Sequence, residues 1–133
     1  MQLTKKASYG VIAVLELART RDGTPTSAAA IADQYSLPSS FVEKILHELR
    51  RAGLVDSKQG RSGGYFLARD ASSISIRQVL EALDESIDLV GCIGSPSACQ
   101  ITGVCPTKGA WHRINDRIRS LLDDLRLQDL LDE

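Results

Sequence analysis

The sequence has little of what most enzymes use for catalysis. It contains two histidines, His47 and His112, and no nucleophile motif, phosphate-binding glycine loop or converging acid–base set, so we do not expect an enzyme. No apolar run approaches the length that spans a membrane. Because Glu16 and Arg19 interrupt the first apolar stretch, we expect no signal peptide, and hence a cytoplasmic protein without membrane contact. We also find no internal repeat and no low-complexity segment.

Cysteine is scarce as well, but its placement is informative. Cys92, Cys99 and Cys105 are the only cysteines, and all fall in one segment punctuated by glycine and proline, residues 91–106. An odd number of thiols cannot all pair with each other, whereas three sulfurs on a bending loop can converge on one metal centre. Thiols stay reduced in the cytoplasm, so this clustering favours metal binding or redox sensing over a structural disulfide.

The formal net charge of −1 hides an asymmetry within the 133-residue chain. Residues 1–70 carry ten lysines and arginines and seven acids, whereas residues 71–133 carry six and ten. A positive first part allows contact with phosphates, although ordinary scatter of surface charge gives the same balance. The hydrophobic pattern has to decide between these two interpretations.

Three helices are predicted in the first 52 residues. The first begins with Thr4 as its N-cap, and the second follows Thr24-Pro25-Thr26 and reaches about residue 35. Residues 36–38 break the second helix, and residues 39–52 form the third. The buried stripe predicted for the third helix consists of Phe41, Val42, Ile45, Leu46 and Leu49.

A β-hairpin is predicted directly after the third helix. Ser40 and Glu43 have the spacing of a capping box at the start of that helix, and Gly53 has the form of its C-cap. Residues 54–58 and 65–69 then flank a glycine-rich tip. Two helices joined by a short turn and followed by a hairpin define a winged helix-turn-helix. The predicted fold class is therefore mainly α with a small β-hairpin wing, residues 1–70 forming the winged unit.

The third helix has a polar face that can lie in the major groove of DNA. Serine and glutamate there can reach base edges, Glu43 by accepting from a cytosine amino group, while lysine and arginine neutralise phosphates. In the wing, Arg61 can enter a minor groove, and Gly60, Gly63 and Gly64 permit close backbone approach. The alternatives are a solvated helix face and a plain glycine-rich turn. The candidate DNA contacts are Ser39, Ser40, Glu43, Lys44, His47, Arg50, Arg51, Gln59 and Arg61.

Residues 71–133 are predicted to hold a sensor loop and a dimerisation helix. After a fourth helix near residues 76–83, the loop occupies about residues 86–107 and a long C-terminal helix about residues 108–128. Apolar residues in alternating steps of three and four indicate a coiled-coil seam, which needs a partner. Homodimerisation would place two half-sites about one DNA turn apart on a palindromic operator, and packing on the first helix is the alternative. The candidate dimerisation residues are Trp111, Ile114, Ile118, Leu121 and Leu125.

Several motifs, taken together and in their order along the chain, resemble those of a known family. They are residues 1–10, 37–46 and 63–70, the three-cysteine loop, and Cys105-Pro106 with Trp111. Over nearly all of its length, the chain resembles the bacterial winged-helix transcriptional regulators of the IscR/NsrR type, the Rrf2 family. The resemblance implies a homodimer that binds promoter DNA. In members with the cysteines it also implies an iron–sulfur cluster, whose presence or redox state changes DNA affinity.

The chain departs from the family pattern at two places. IscR-like members take a fourth ligand from a histidine three residues after the last cysteine, where this chain has Lys108; other members use an acid of the first helix, where it has Ser8. His112 is a candidate by its chemistry, and a surface histidine is the alternative. In the wing, Gln59 replaces a basic residue, and Arg61 can substitute for it.

Three functions follow from these patterns. The first is a homodimeric, sequence-specific DNA-binding transcriptional regulator whose cysteine loop is ordered by an iron–sulfur cluster and released by its loss or oxidation. The second is a cluster-free winged-helix regulator that senses through thiols, a small molecule or a protein partner. The third is a zinc-stabilised interaction module whose wing contacts protein.

Overall fold

The computed structural model describes residues 3–20, 23–85 and 106–131, which form a mainly helical fold with one hairpin. The elements are α1 (Lys5–Arg19), α2 (Ala28–Tyr35), α3 (Ser39–Arg51), β1 (Val55–Lys58), β2 (Gly64–Leu67), a 3-10 turn (Ala71–Ser73), α4 (Ile76–Ala82), α5 (Lys108–Asp124) and α6 (Leu127–Leu131). The predicted fold class, a helix-turn-helix with a two-stranded wing and a long C-terminal helix, is confirmed.

The first helix begins where the sequence predicts and presents a face of small residues to the core. The Thr4 side chain accepts a hydrogen bond from the Ala7 N–H at 3.2 Å, which supplies the N-cap of α1. A Cβ atom on Gly10 would overlap Leu83 Cδ1 and lie 3.6 Å from Ile45 Cγ2. Glycine at this position therefore allows α3 and the end of α4 to pack closely on α1.

The second helix begins later than the sequence suggests. Ser27 is its N-cap and accepts the Ala30 N–H at 3.0 Å, while Thr26 lies outside the helix. Ser36 adopts a left-handed conformation with φ of 54° and ends α2, so the chain turns within three residues into α3.

The third helix is amphipathic, and its two ends are capped differently. Pro38 precedes it without a side-chain cap, so the predicted capping box of Ser40 and Glu43 is wrong; the helix starts at Ser39, and Ser40 lies within its first turn. At the other end, Gly53 has a φ of 82°, and the Leu54 N–H donates to the Leu49 carbonyl at 3.1 Å. This Schellman geometry confirms the predicted glycine C-cap. The fully buried face of α3 consists of Val42, Ile45, Leu46 and Leu49.

The wing is an antiparallel hairpin attached to the start of the helix-turn-helix. Val55 lies opposite Leu67 in β1 and β2. Thr26 pairs with the wing as an isolated bridge, because its N–H donates to the Tyr65 carbonyl at 2.9 Å and its carbonyl accepts from the Tyr65 N–H at 2.8 Å. The sequence pattern places Thr26 at a helix start and does not predict this attachment.

The long C-terminal helix ends at Asp124, earlier than the predicted boundary near residue 128. The Ile76 N–H donates to the Leu125 carbonyl at 2.9 Å, and the Leu127 N–H donates to the Ile74 carbonyl at 2.9 Å. After Asp124, these hydrogen bonds to residues 74 and 76 replace the ones that a longer helix would form. The break buries Leu127 completely and packs Leu125 against the core, so Leu125 leaves the predicted seam.

One buried core joins residues from both sides of position 70. Its members come from α1, α2, α3, β1, the segment 71–83 and α6. Hydrophobic burial is the dominant favourable term in folding, so the first 70 residues and the segment around α4 stabilise each other. Within the described ranges, none of the helices is both long enough and apolar enough to cross a membrane.

Candidate nucleic-acid interface

The nine candidate DNA contacts lie on α3 and at the tip of the wing, and all are exposed. Seven follow one face of α3, opposite the buried apolar face, so this polar face is open to solvent along the helix. Gln59 and Arg61 lie in the turn between β1 and β2. The exposed α3 residues are Ser39, Ser40, Glu43, Lys44, His47, Arg50 and Arg51.

The charge on this surface is mainly positive. Lys44, Arg51 and Arg61 have no ion-pair partner among the residues that the structure describes, so their charges face solvent. Arg50 differs, because its Nε lies 3.6 Å from Asp56 Oδ1 on β1. Unpaired basic side chains beside short polar ones suit a surface that neutralises phosphates and reaches base edges.

Contacts with α1 hold α3 in place. Lys6 Nζ lies 2.7 Å from Glu48 Oε2, and both side chains are about one quarter exposed. The ring of Tyr9 packs edge-on against Phe41, with ring centroids 5.7 Å apart. Because Phe41 and Glu48 lie about two turns apart along α3, the pair of contacts fixes both the position and the direction of the helix.

The second helix is anchored to α1 through Tyr35. Its hydroxyl donates to Glu16 Oε2 at 2.5 Å and accepts from Arg19 Nη1 at 3.2 Å. The hydrogen bond to the Glu16 carboxylate, together with partial burial, raises the pKa of the Tyr35 phenol, and Arg19 opposes this shift. Each helix of the helix-turn-helix therefore has its own polar contact with α1.

Glycines in the wing serve its folding. Gly64 has a φ of 150°, and a Cβ atom there would lie 2.5 Å from the Thr26 carbonyl carbon. A Cβ atom on Gly63 would overlap the Lys58 carbonyl oxygen. The close approaches predicted at these two glycines are therefore internal to the protein, whereas Gly60 borders open space. Thr26 is the residue that the sequence pattern did not reveal here; its β-branched side chain, which favours extended backbone, is the signal that points to it.

The three candidate metal ligands, Cys92, Cys99 and Cys105, lie outside the described residues. Within residues 3–20, 23–85 and 106–131, no three His, Cys, Asp or Glu side chains come together as a metal site. Of the positions considered for a fourth ligand, Ser8 is exposed on α1 and His112 is partly exposed on α5. Lys108 is the first residue of α5.

The face of α5 that carries the predicted seam is apolar and exposed. Trp111, Ile114 and Leu121 are 38%, 44% and 61% exposed, and Ile118 is partly exposed between them. The opposite side of the helix packs on α4 and contains the fully buried Asn115. Large apolar side chains at this exposure, aligned along one helix, mark a surface suited to a protein contact.

A polar helix face beside a hairpin wing, supported from behind by α1, defines a winged-helix DNA-binding protein of the kind that regulates transcription. The chain belongs to the Rrf2 family, because the family profile described as an iron-dependent transcriptional regulator matches residues 3–133.

Similar proteins agree with this assignment. The chain is 37% identical over 131 residues to the HTH-type transcriptional regulator IscR of Escherichia coli, covering 98% of this chain and 80% of the relative. Its fold is similar to the structure of CymR, the global cysteine regulator of B. subtilis, with a TM-score of 0.81, 29% identity and coverage of 99% and 97%. It is also similar to T. potens IscR, with a TM-score of 0.78, 30% identity and coverage of 99% and 87%.

Proposed function

We propose that the chain is a homodimeric, sequence-specific DNA-binding transcriptional regulator of the cytoplasm and has no catalytic activity. One observation carries this proposal: the seven candidate contacts on α3 are all exposed, while the opposite face of that helix forms the core. An amphipathic helix whose polar face is this open, next to a wing, is suited to lie in the major groove. Residues 1–70 read DNA, and residues 71–133 provide dimerisation and sensing.

The exposed side chains form two groups, those that contact base edges and those that contact phosphates. Ser39 and Ser40, in the first turn of α3, reach base edges, and Glu43 accepts from a cytosine amino group. Because a carboxylate repels phosphates, Glu43 contributes selectivity and lowers affinity for other sequences. Lys44 and Arg51, together with the other basic contacts, neutralise phosphates and give the complex its salt dependence.

Dimerisation occurs through the exposed face of α5. Trp111, Ile114, Ile118 and Leu121 supply an apolar strip that a second copy of the chain covers. A twofold dimer presents two copies of α3 to half-sites about one DNA turn apart, so the operator is palindromic.

The cysteine segment regulates DNA binding. Cys92, Cys99 and Cys105 offer three thiolates, the donors that iron–sulfur clusters prefer, and thus fit three ligand positions of a cluster. When bound, a cluster would supply a redox-active centre. The family description as iron-dependent and the likeness to IscR support this assignment.

A cluster-free regulator that senses through thiols, a small molecule or a partner is the second candidate. Lys108 and Ser8 stand where related proteins have a fourth ligand, and neither is a good ligand for iron. The likeness to CymR, the global cysteine regulator of B. subtilis, supports this alternative.

A path of contacts leads from Glu85 to α3. Glu85, the last described residue before that segment, accepts a hydrogen bond from the Thr4 hydroxyl at the start of α1. Leu83 packs against Gly10, and the same glycine lies beside Ile45 on the buried face of α3. A rearrangement of the cysteine segment that displaces Leu83 or Glu85 therefore acts on α1, and α1 in turn positions α3.

One preparation separates these candidates. We would purify the protein without oxygen, measure iron, acid-labile sulfide and visible absorption, and select DNA from a random pool with the same sample before and after iron removal. We expect a palindromic sequence to be selected and, for a cluster regulator, stoichiometric iron and sulfide. The variant with all three cysteines changed to alanine is the control that loses both.

The outcomes differ for each idea. A palindrome selected by colourless protein without sulfide would support the cluster-free regulator. Stoichiometric zinc without salt-dependent DNA affinity would contradict a DNA-binding regulator and would favour a zinc-stabilised interaction module.

A further inference from the structure

A cleft of about 600 Å³ lies between the end of α1, strand β2 and α6, on a part of the surface to which the proposed function gives no role. None of the nine candidate DNA contacts lines this cleft, and neither does any residue of the apolar strip on α5. Its volume falls within the range of small-molecule sites, about 300–1,000 Å³. The cleft is therefore large enough for a small organic ligand.

Apolar side chains form part of the lining. Leu17 is buried, and Leu67 and Leu131 pack against the core, so the fold fixes this part of the cleft. Phe66 differs, because it lines the cleft and is partly exposed without packing against the core of the described residues. A partly exposed aromatic ring at a cleft is a large apolar surface that a ligand can cover.

Arg69 supplies positive charge at the same cleft. Its Nη2 donates to the Ser73 carbonyl at 2.7 Å, which holds the guanidinium group in place and leaves its other N–H groups available. In the part of the chain that the structure describes, Arg69 has no ion-pair partner. A guanidinium group with available N–H donors suits a carboxylate, which it binds through parallel hydrogen bonds.

Arg19 brings a second guanidinium group to the lining. Its Nη1 lies 3.3 Å from Glu16 Oε2 and donates to the Tyr35 hydroxyl at 3.2 Å. Because Tyr35 is the last residue of α2, Arg19 connects the cleft directly to the helix-turn-helix.

Asp70 also lines the cleft, but its carboxylate is engaged within its own turn. Its Oδ1 accepts hydrogen bonds from the Ser72 N–H and the Ser72 hydroxyl, both at 3.0 Å. These hydrogen bonds lower the pKa of Asp70, so the group stays ionised. Among the described residues, Asp70 forms no ion pair with either arginine. Two arginines beside one acid give the described lining a positive balance, which favours an anion.

We propose that this cleft is an effector site for a small organic carboxylate with an aromatic or apolar body. Arg69 binds the carboxylate, Arg19 adds to the positive charge, and Phe66 with the neighbouring leucines covers the body of the ligand. This inference rests on the proposed function, because an effector changes DNA affinity only in a protein that binds DNA.

The position of the cleft explains how a ligand there affects DNA binding. The cleft is bordered by α1, which holds α2 and α3, by strand β2 of the wing, and by α6, which follows the predicted dimerisation helix. A ligand that contacts all three favours one arrangement of the wing relative to α1. By linkage, ligand and DNA then change each other's affinity by the same factor.

Titration with benzoate, the smallest ring that carries the required carboxylate, tests binding. We expect saturable shifts of backbone amide NMR signals around the cleft, at Ala18, Leu67 and Gln128, with a dissociation constant of about 1 mM for so small a ligand. Benzamide has nearly the same shape without the charge and should bind about 10-fold more weakly, because it loses the charged hydrogen bonds.

Three variants assign the binding to the cleft. Arg69→Gln should weaken benzoate binding about 10-fold, and Phe66→Leu, which removes the ring but keeps an apolar side chain, about threefold. Arg77→Gln on α4 removes a cation that does not line the cleft and should leave the affinity unchanged.

Fluorescence anisotropy with a selected operator tests the effect on DNA binding. At a saturating benzoate concentration and constant ionic strength, we expect the operator affinity of the wild type to change at least about fivefold. Benzamide at the same concentration, or benzoate with Arg69→Gln, should leave operator affinity nearly unchanged.

Shifts that do not saturate, that spread over the whole surface, or that are equal with benzamide or in Arg69→Gln would overturn the proposal. Saturable binding that leaves operator affinity unchanged would overturn the effector role. If wild-type protein selects no DNA sequence at all, the proposed function itself fails, which is a different result because the NMR titration needs no DNA.

Discussion

Among the helices that the structure describes, α3 and α5 keep a long face exposed, and the two faces differ in chemistry. The α3 face consists of serine, histidine and charged side chains, most of them basic. The α5 face consists of Trp111, Ile114, Ile118 and Leu121. A polar face loses little by remaining in water, whereas an apolar face is stabilised by being covered.

This difference indicates what each face binds and how the binding responds to solvent. Contacts with phosphates weaken steeply as salt rises, because they release condensed counterions. Burial of apolar surface depends little on salt at ordinary concentrations. We therefore expect one salt-sensitive interface at α3 and one salt-insensitive interface at α5 in the same molecule.

Leu121→Glu should break the α5 interface and produce the largest effect. The charge would enter an apolar contact twice in a symmetric dimer, at a cost of about 4 kcal/mol or more. We expect a monomer at micromolar concentration in analytical ultracentrifugation, and operator affinity about 100-fold weaker because the second half-site is no longer linked. Arg113→Glu places the same side chain on an exposed position of α5 outside the apolar strip and should remain dimeric. A dimeric Leu121→Glu protein would show that this face is not the dimer contact.

Gly64→Ala should damage the wing while leaving the α5 interface intact. Besides the unfavourable φ, its Cβ would collide with the Thr26 backbone, so we expect a loss of about 3 kcal/mol in the free energy of unfolding. Gly60→Ala is the matched control, since Gly60 has a φ of 112° and open space, and should cost about 1 kcal/mol. Urea denaturation measures both. Equal losses for the two variants would contradict the role of the Thr26 bridge.

Tyr35→Phe should have the smallest effect, because it weakens the support of α2 without touching either exposed face. Loss of the hydrogen bond to Glu16 should cost about 1 kcal/mol at neutral pH. The pKa of Tyr35 is raised in the folded state, so this stabilisation is present below about pH 10 and is lost as pH rises through the folded-state pKa.

Urea denaturation at several pH values checks this prediction. The control is Tyr9→Phe, because the hydroxyl that it removes makes no hydrogen bond within the described residues. A difference between wild type and Tyr35→Phe that stays constant from pH 8 to above pH 10 would argue against the Tyr35–Glu16 hydrogen bond as its source.

Local patterns predicted the helix-turn-helix well, since helical periodicity and capping depend on neighbours in sequence. The Thr4 cap and the Gly53 cap follow from such patterns and are confirmed, as is the buried face of α3 except for Phe41, which is only partly buried. Boundaries set by distant residues were missed. Thr26 is extended because it pairs with Tyr65, and α5 ends early because Leu125 pairs with Ile76.

The sequence predicted which residues of the candidate site are exposed, because the apolar residues of an amphipathic helix define the buried face and the polar residues lie opposite. Its internal contacts were not predicted. The ion pairs Lys6–Glu48 and Arg50–Asp56 join separate elements, and no local pattern specifies which charges meet. The assignments of Cys92, Cys99 and Cys105 as ligands and of the α5 strip as a dimer contact stay predictions.

Salt-dependent DNA binding by variants of α3 tests the central claim most directly. We would measure affinity for the selected operator across salt concentrations for wild type, Lys44→Ala and Arg51→Ala, with Arg77→Ala on α4 as the control. If α3 faces DNA, each α3 variant weakens binding about 3- to 30-fold and reduces the salt slope by about one, and Arg77→Ala matches wild type. Variants of α3 that bind like the control, or a wild-type affinity independent of salt, would contradict the assignment of this face to DNA.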